Sequence, residues 1–175
     1  MPPPAFTVRA ASLADVDVVA RHRAEMFRDI HGLDDAVCAS MFAASRHALE
    51  PQLLAGDYVG WLASPVGAAG TIVGGAGIRL RNALPSVRKR NGSAEVVTGR
   101  QGLIVNVYTE REWRRRGVAA LLMRQVLHDV EELDLGSIVL HASAEGRTLY
   151  ESLGFEATNE MRYAGPPVPG SGVRS

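Results

Sequence analysis

The feature that most constrains the fold of this chain is a strand-like segment that passes through an arginine and glycine turn into an amphipathic helix. Residues 102–109 are rich in β-branched and apolar side chains, and Arg114-Arg115-Arg116-Gly117-Val118-Ala119 follows them. The next apolar residues recur at helical spacing: Val118, Leu121, Leu122, Val126, Val130 and Leu133. Because the first N–H groups of a helix lack partners inside it and the helix dipole favours anions, the turn is predicted to bind a phosphate group.

The residues after this helix predict a β-α-β unit and a further helix. Gly136 is expected to end the first helix, and the apolar Ile138-Val139-Leu140 is expected to form the next strand. A second helix is predicted to end on Gly154, within Leu149-Tyr150-Glu151-Ser152-Leu153-Gly154-Phe155. The phosphate turn then lies at the crossover between two neighbouring strands.

At these residues the chain resembles the GCN5-related N-acetyltransferase (GNAT) family. The cofactor motif of that family is Gln/Arg-x-x-Gly-x-Gly/Ala, which Arg114-x-x-Gly117-x-Ala119 matches, and its Tyr-x-x-Leu-Gly-Phe segment matches Tyr150 to Phe155. The close match covers residues 102–161. The resemblance implies an α/β (α+β) fold, with a mixed central sheet of about six to seven strands flanked by about four helices. One such domain is expected over residues 1–164, followed by a disordered Pro/Gly/Ser-rich tail over residues 165–175.

The N-terminal part of the chain is predicted to begin with a strand and two helices. The strand covers residues 6–9, and apolar residues at helical spacing predict a first helix over residues 16–30. A second helix is predicted from about residue 35 to residue 49. Pro51 is expected to interrupt or restart this helix, and Gly56 is expected to close it.

The middle of the chain is predicted to be a strand hairpin followed by a loop. The strands cover residues 58–63 and 71–80, and Gly74-Gly75-Ala76-Gly77 is interpreted as a bulged or closely approached strand, since no helix follows it. Residues 82–101 are predicted to form a long loop that contains at most a short edge piece. One or two short strands are also predicted near residues 155–158 and 161–164.

Composition narrows the choice of partners and compartment. Lys plus Arg equals Asp plus Glu at 19 each, which argues against a nucleic acid as partner. The chain has no apolar run of about 18 residues that could cross a membrane, and Met1-Pro2-Pro3-Pro4 does not resemble a secretory signal. Cys38 is the only cysteine, which suits a reducing, cytoplasmic location. The five histidines are scattered, so no metal site is expected.

The resemblance also implies roles for individual residues in binding acetyl-CoA. Backbone N–H groups of residues 115–119 would hold the pyrophosphate, and the strand at residues 107–109 would splay open to bind the thioester. Tyr150 stands where the family commonly places a general acid for the leaving thiolate, and Ser143 stands where many members have Asn. The expected donor-binding residues are Val107, Tyr108, Thr109, Arg114, Arg115, Arg116, Gly117, Val118, Ala119 and Ser143.

The sequence leaves the general base open. The attacking amine must lose a proton, and Glu25, Asp29 and Glu110 are the main candidates, with Glu112 and His141 also in place for this role. Glu25 and Asp29 are four residues apart and share one helical face. Each carboxylate is also compatible with a plain solvated surface position.

The resemblance favours an acetyl-CoA-dependent N-acetyltransferase that acts on a primary amine, with a small molecule preferred over a protein. Direct transfer in a ternary complex is expected, because no residue stands out as an acyl-carrying nucleophile. The alternatives are a non-catalytic acyl-CoA sensor, an enzyme for a longer acyl-CoA, and a nucleic-acid-binding protein. Arg88-Lys89-Arg90 is interpreted as a solvated loop, with an acidic substrate or the 3′-phosphate of the cofactor as its alternative ligand. A homodimer is compatible with the sequence.

Overall fold

The computed structural model describes residues 5–158, 160–162 and 164. These residues form seven strands and four α-helices, joined by short 3-10 turns. The strands are β1 (Phe6–Ala10), β2 (Tyr58–Pro65), β3 (Gly74–Asn82), β4 (Ser86–Arg90), β5 (Ser93–Val97), β6 (Arg100–Thr109) and β7 (Leu135–Leu140). The helices are α1 (Val16–His31), α2 (Asp35–Ala55), α3 (Val118–Asp129) and α4 (Arg147–Ser152).

Five of the strands form one mixed sheet in the order β1-β2-β3-β6-β7. The first four are antiparallel to their neighbours, and β7 runs parallel to β6 across the α3 crossover. The predicted mixed α/β fold is confirmed. The total of seven described strands agrees with the expected number, although β4 and β5 form a separate two-stranded sheet.

Helices cover both faces of the sheet and bury two apolar layers. On one face, α1 and α2 pack through Val19 and Leu49 against Tyr58 and Leu62 of β2. On the other face, Leu122 and other apolar residues of α3 pack on the alternate side chains of the same strands. The sheet therefore lies between two helical layers, and the ends of its strands are free to form a site.

Local sequence signals shape the ends of the first two helices. Ser12 donates its backbone N–H to the Asp15 carboxylate at 2.8 Å, in the capping arrangement that leads into α1. Gly32 and Gly56 end α1 and α2 in the left-handed conformation, with φ of 64° and 75°. The prediction for Pro51 is wrong, because α2 continues through it from Asp35 to Ala55.

Residues 82–101 do not form the long loop that the sequence predicts. They contain the hairpin of β4 and β5, closed by Asn91 and Gly92 with φ of 51° and 80°. An Asn-Gly pair favours this two-residue turn because both residues tolerate positive φ. Arg88 donates to Glu95 across the hairpin at 2.7 Å, so the predicted solvated basic loop is a paired strand.

Two further boundaries differ from the predictions. Gly136 does not end a helix: Asp134 takes the left-handed conformation with φ of 46°, and Gly136 lies in β7, where a Cβ atom would come within 2.3 Å of the Thr98 carbonyl oxygen. Residues 155–158 do not form a strand, because Phe155 donates its N–H back to the Tyr150 carbonyl at 3.0 Å. The described residues among 161–164 form no strand either, and residues 165–175 lie outside the described residues.

The glycine-rich segment of β3 allows close approach rather than nucleotide binding. The ring of Tyr58 lies against Gly77, where an added Cβ would come within 2.1 Å of the Tyr58 hydroxyl oxygen. The pairing of β3 with β6 shifts register between Gly75 and Gly77, but the extra residue lies on β6, so close approach rather than a bulge describes this part of β3. No helix within the described residues is long and apolar enough to cross a membrane.

Candidate active site

The predicted phosphate turn lies between β6 and α3. Arg115 and Gly117 have positive φ of 62° and 83°, and Gly117 is the N-cap residue of α3. Within the described part of the chain, the backbone N–H groups of residues 115–117 have no protein acceptor. The N–H groups of the first helical turn add further free donors. The turn therefore presents a set of unpaired N–H groups at the positive end of a helix, as anion binding requires.

The side chains of the three arginines in the turn make different contacts. Arg114 points back to α1, where it forms an ion pair with Asp29, and its Nε donates to the Thr109 carbonyl at 3.0 Å. The guanidinium of Arg116 lies 5.0 Å from the centre of the Trp113 ring. Arg115 is exposed beside the cleft. The Arg114 side chain thus links the turn to α1, and its predicted role in donor binding stays a prediction.

β6 continues past the end of its pairing with β7 and has a bulge at Asn106. Asn106 has a φ of 57°, which is rare for a residue inside a strand, and its side chain is buried. The parallel pairing of β6 with β7 ends at Ile104 and Leu140. The edge of β6 over residues 105–109 therefore has no partner on β7, and its backbone groups are available to a ligand.

One cleft of about 1190 Å³ extends from the phosphate turn along this open edge to α1 and α2. Its lining includes Tyr108, Gly117, Ser143 and Tyr150 on one side of the β6 edge. On the other side it is lined by residues of α1, α2, β2 and β3. All ten predicted donor-binding residues except Arg116 line this cleft.

Tyr150 and Ser143 are neighbours in the cleft wall. Both lie close to Gly146, where an added Cβ would be 2.8 Å from the Tyr150 ring and 3.3 Å from the Ser143 hydroxyl oxygen. The Tyr150 ring also packs edge-on against Phe155, with ring centres 6.2 Å apart. Burial raises the pKa of the Tyr150 phenol, so the group is protonated at neutral pH. Ser143 Oγ accepts a hydrogen bond from the Gly146 N–H at 3.2 Å.

The three main candidates for the general base are all ion-paired. Among them only Asp29 lines the cleft, and it is held by Arg111 and Arg114. Burial raises the pKa of Asp29, but the hydrogen bonds from these arginines outweigh it and hold the pKa below its usual value. Glu25 pairs with Arg28 at 3.3 Å.

Glu110 contacts a buried histidine that sequence reasoning did not select. His22 Nε2 lies 3.2 Å from Glu110 Oε1, and Arg21 donates to the same oxygen at 2.6 Å. Burial, aided by the charge of Arg21, lowers the pKa of His22 to about 4, so the imidazole is neutral. The signal was present in the sequence, because His22 follows Val19 by three residues on the apolar face of α1.

Asn106 is the second buried polar residue that the sequence reasoning passed over. Arg23 donates to its Oδ1 at 2.7 Å, and its Nδ2 donates to the Tyr58 hydroxyl at 3.1 Å. Burial raises the pKa of Tyr58 to about 12, so this phenol is also neutral. An Asn within the apolar run Val105-Asn106-Val107 was the signal for a special position.

Comparisons with known proteins agree with this geometry. The model of the acetyltransferase (GNAT) domain family matches residues 41–165. A comparison with curated proteins finds no match. Among solved structures, a GCN5-related N-acetyltransferase from Ralstonia eutropha JMP134 has 29% identity and a TM-score of 0.77, over 94% of this chain and 99% of that chain.

Two other solved structures share the fold at lower identity. A predicted acetyltransferase with acetyl-CoA from Clostridium acetobutylicum has 24% identity and a TM-score of 0.75, over 91% of this chain and 96% of that chain. The glucosamine-6-phosphate N-acetyltransferase from Arabidopsis thaliana has 15% identity and a TM-score of 0.61, over 93% of this chain and 100% of that chain. With the family model matching well over half of its length, the chain belongs to the GNAT family of acetyltransferases.

Proposed function

We propose that this enzyme transfers an acetyl group from acetyl-CoA to the primary amine of a small molecule, by direct attack in a ternary complex. The observation that carries the proposal is the continuous cleft of about 1190 Å³, which reaches from the phosphate turn to α1 and α2. Such a cleft has room for a donor and an acceptor at the same time. Holding both reactants in one site makes the transfer effectively unimolecular.

The wall of the cleft supplies groups for two parts of the reaction. The free edge of β6 over residues 105–109 offers N–H donors to the thioester carbonyl, where negative charge develops during attack. Tyr150 is the proposed general acid, which gives a proton to the departing thiolate of CoA. The burial that raises its pKa keeps it protonated for this task.

The amine is proposed to lose its proton to water in the cleft. Asp29 is committed to Arg111 and Arg114, and Glu25 and Glu110 do not line the cleft within the described residues. A carboxylate with a lowered pKa is a weak base, which argues against Asp29 in this role. Cys38 is buried in α2 and does not line the cleft, which supports direct transfer without an acyl-enzyme.

The first test is calorimetric titration with acetyl-CoA, with NAD as the control ligand, followed by thiol release across a panel of primary amines. Saturable binding of acetyl-CoA and an acetylated amine in the product would support the proposal. Binding without turnover on any amine would favour the acyl-CoA sensor instead. Faster thiol release from succinyl-CoA than from acetyl-CoA would move the proposal to a longer acyl donor.

The phosphate turn is tested by replacing Gly117 with Val. We expect the Kd for acetyl-CoA to rise by about tenfold, because a branched side chain at this position stands between the pyrophosphate and the backbone N–H groups. Calorimetry measures the change. The matched control is Gly56→Val: Gly56 has a similar φ of 75° and, like Gly117, nothing within 4 Å of an added Cβ. An equal loss of affinity in both variants would show backbone strain rather than a phosphate site.

A further inference from the structure

The half of the cleft that faces α1 and α2 contains two arginines without an acidic partner. Arg23 of α1 is partly buried, and within the described residues no carboxylate lies within ion-pair distance of it or of Arg79 on β3. Both residues line the cleft. The polar contact of Arg79 is with a neutral group, the Gln52 side-chain oxygen at 2.9 Å from its Nε.

Arg23 is held in place but keeps most of its donors free. One of its nitrogens donates to Asn106 at 2.7 Å, and its guanidinium lies 4.9 Å from the centre of the Phe27 ring. A guanidinium carries five N–H donors, so this leaves several for a ligand. Tyr58, its other close neighbour, is a neutral phenol and cannot balance the charge.

The positive charges of the two arginines also repel each other. Burial lowers the pKa of Arg23, and the nearby charge of Arg79 lowers it further. By contrast, Arg114 in the same cleft is balanced by Asp29. Arg23 is partly buried and Arg79 is exposed, so an anion bound by both would offset the unpaired charge of the buried guanidinium.

We propose that the acetyl acceptor carries an anionic group, a carboxylate or a phosphate, in addition to its amine, and that Arg23 and Arg79 bind this group. This inference rests on the proposed function, since it concerns the acceptor half of the same cleft. Planar guanidinium groups suit both kinds of anion, because each can donate two parallel hydrogen bonds. Binding the anion there would leave the amine to point along the open β6 edge.

Anion binding is tested first, with inorganic phosphate as the probe. The donor site is filled with CoA so that the phosphate turn is occupied, and the melting temperature is followed as phosphate is added. We expect phosphate to stabilise the wild type and to stabilise Arg23→Gln and Arg79→Gln much less. The matched control is Arg81→Gln, on the same strand two residues from Arg79, where Arg81 contacts Gln101 at 2.7 Å outside the cleft. Equal stabilisation of all four proteins would overturn the inference.

Turnover on matched pairs of amines then identifies the anion. One arm compares ω-amino carboxylic acids of increasing length with their carboxamides, and the other compares phosphoethanolamine with ethanolamine. In one of these two comparisons, we expect kcat/KM for the charged amine to exceed that for its neutral counterpart by about tenfold or more. We expect this preference to disappear in Arg23→Gln. A purely structural role of Arg23 would lower both members of a pair equally and leave their ratio unchanged.

The two experiments separate the failure of each proposal. Equal acetylation of charged and neutral amines would overturn the anion site and leave the proposed function in place. Arg23-dependent phosphate stabilisation without acetylation of any amine would support the anion site and overturn the proposed function. If phosphate does not stabilise the wild type and no amine is acetylated, both the anion site and the proposed function are overturned.

Discussion

Replacement of Tyr150 by Phe is expected to lower kcat by about 100-fold to 10,000-fold, the range for loss of a general acid, with the affinity for acetyl-CoA unchanged. The variant removes the phenol oxygen but keeps the ring that packs against Gly146 and Phe155. Only the transition state gains from proton donation to the thiolate, so the loss falls on turnover rather than on binding. Steady-state kinetics and calorimetry measure the two quantities separately.

The same variant distinguishes a chemical role of Tyr150 from a packing role. If the ring serves only to pack α4 against the sheet, kcat will stay at the wild-type value. A weaker affinity for acetyl-CoA with an unchanged kcat would instead assign Tyr150 to positioning the donor. The melting temperature serves as the control, since a folded variant should keep the wild-type value.

Replacement of Gly77 by Ala is expected to lower the free energy of unfolding by about 3 kcal/mol, the upper part of the range for overpacking a core. The new Cβ would come within 2.1 Å of the Tyr58 hydroxyl oxygen and 2.3 Å of Cζ, so the whole ring must move. Tyr58 is only 2% exposed, and its hydroxyl accepts a hydrogen bond from Asn106 at the β6 bulge. Urea denaturation measures the loss.

Gly70→Ala is the matched control for this substitution. Gly70 has no atom within 4 Å of an added Cβ and no positive φ, so the change is expected to be neutral or slightly stabilising. A loss at Gly77 no larger than that at Gly70 would mean that the Tyr58 ring can shift freely. In that case the hydrogen bonds that link Tyr58 through Asn106 to Arg23 would be less rigid than the packing indicates.

Features with a local cause were predictable from the sequence. Gly32 and Gly56 end their helices because a left-handed residue is the usual way to close one, and the Ser12–Asp15 cap depends on residues three apart. The mixed sheet was predicted through the resemblance to the GNAT family. The turn at Gly117 between a strand and a helix was also predictable, and phosphate binding at this turn stays a prediction. The roles of the individual site residues stay predictions.

Features that depend on distant partners were not predictable. The predicted role of Arg114 in donor binding stays a prediction, and its ion pair with Asp29, 85 residues away in the sequence, has no local signal. His22 meets Glu110 across 88 residues, and no local pattern specifies that contact. The hairpin of β4 and β5 is a different case, since Asn91-Gly92 is a local turn signal that the polar composition of the segment obscured.

The pairing between β6 and β7 ends at Ile104 and Leu140, and this is expected to make the stability of the folded enzyme depend on its bound donor. The pairing stops where β7 itself ends, at Leu140, so the segment that follows, residues 141–146, has no strand partner among the described residues and its amide hydrogens should exchange early in the free protein. A donor seated along the open edge of β6 would supply the missing partner, and at a concentration 100 times its Kd it would add about 2.7 kcal/mol to the stability of the native state. Resistance of the enzyme to proteolysis would then follow the level of its acyl donor.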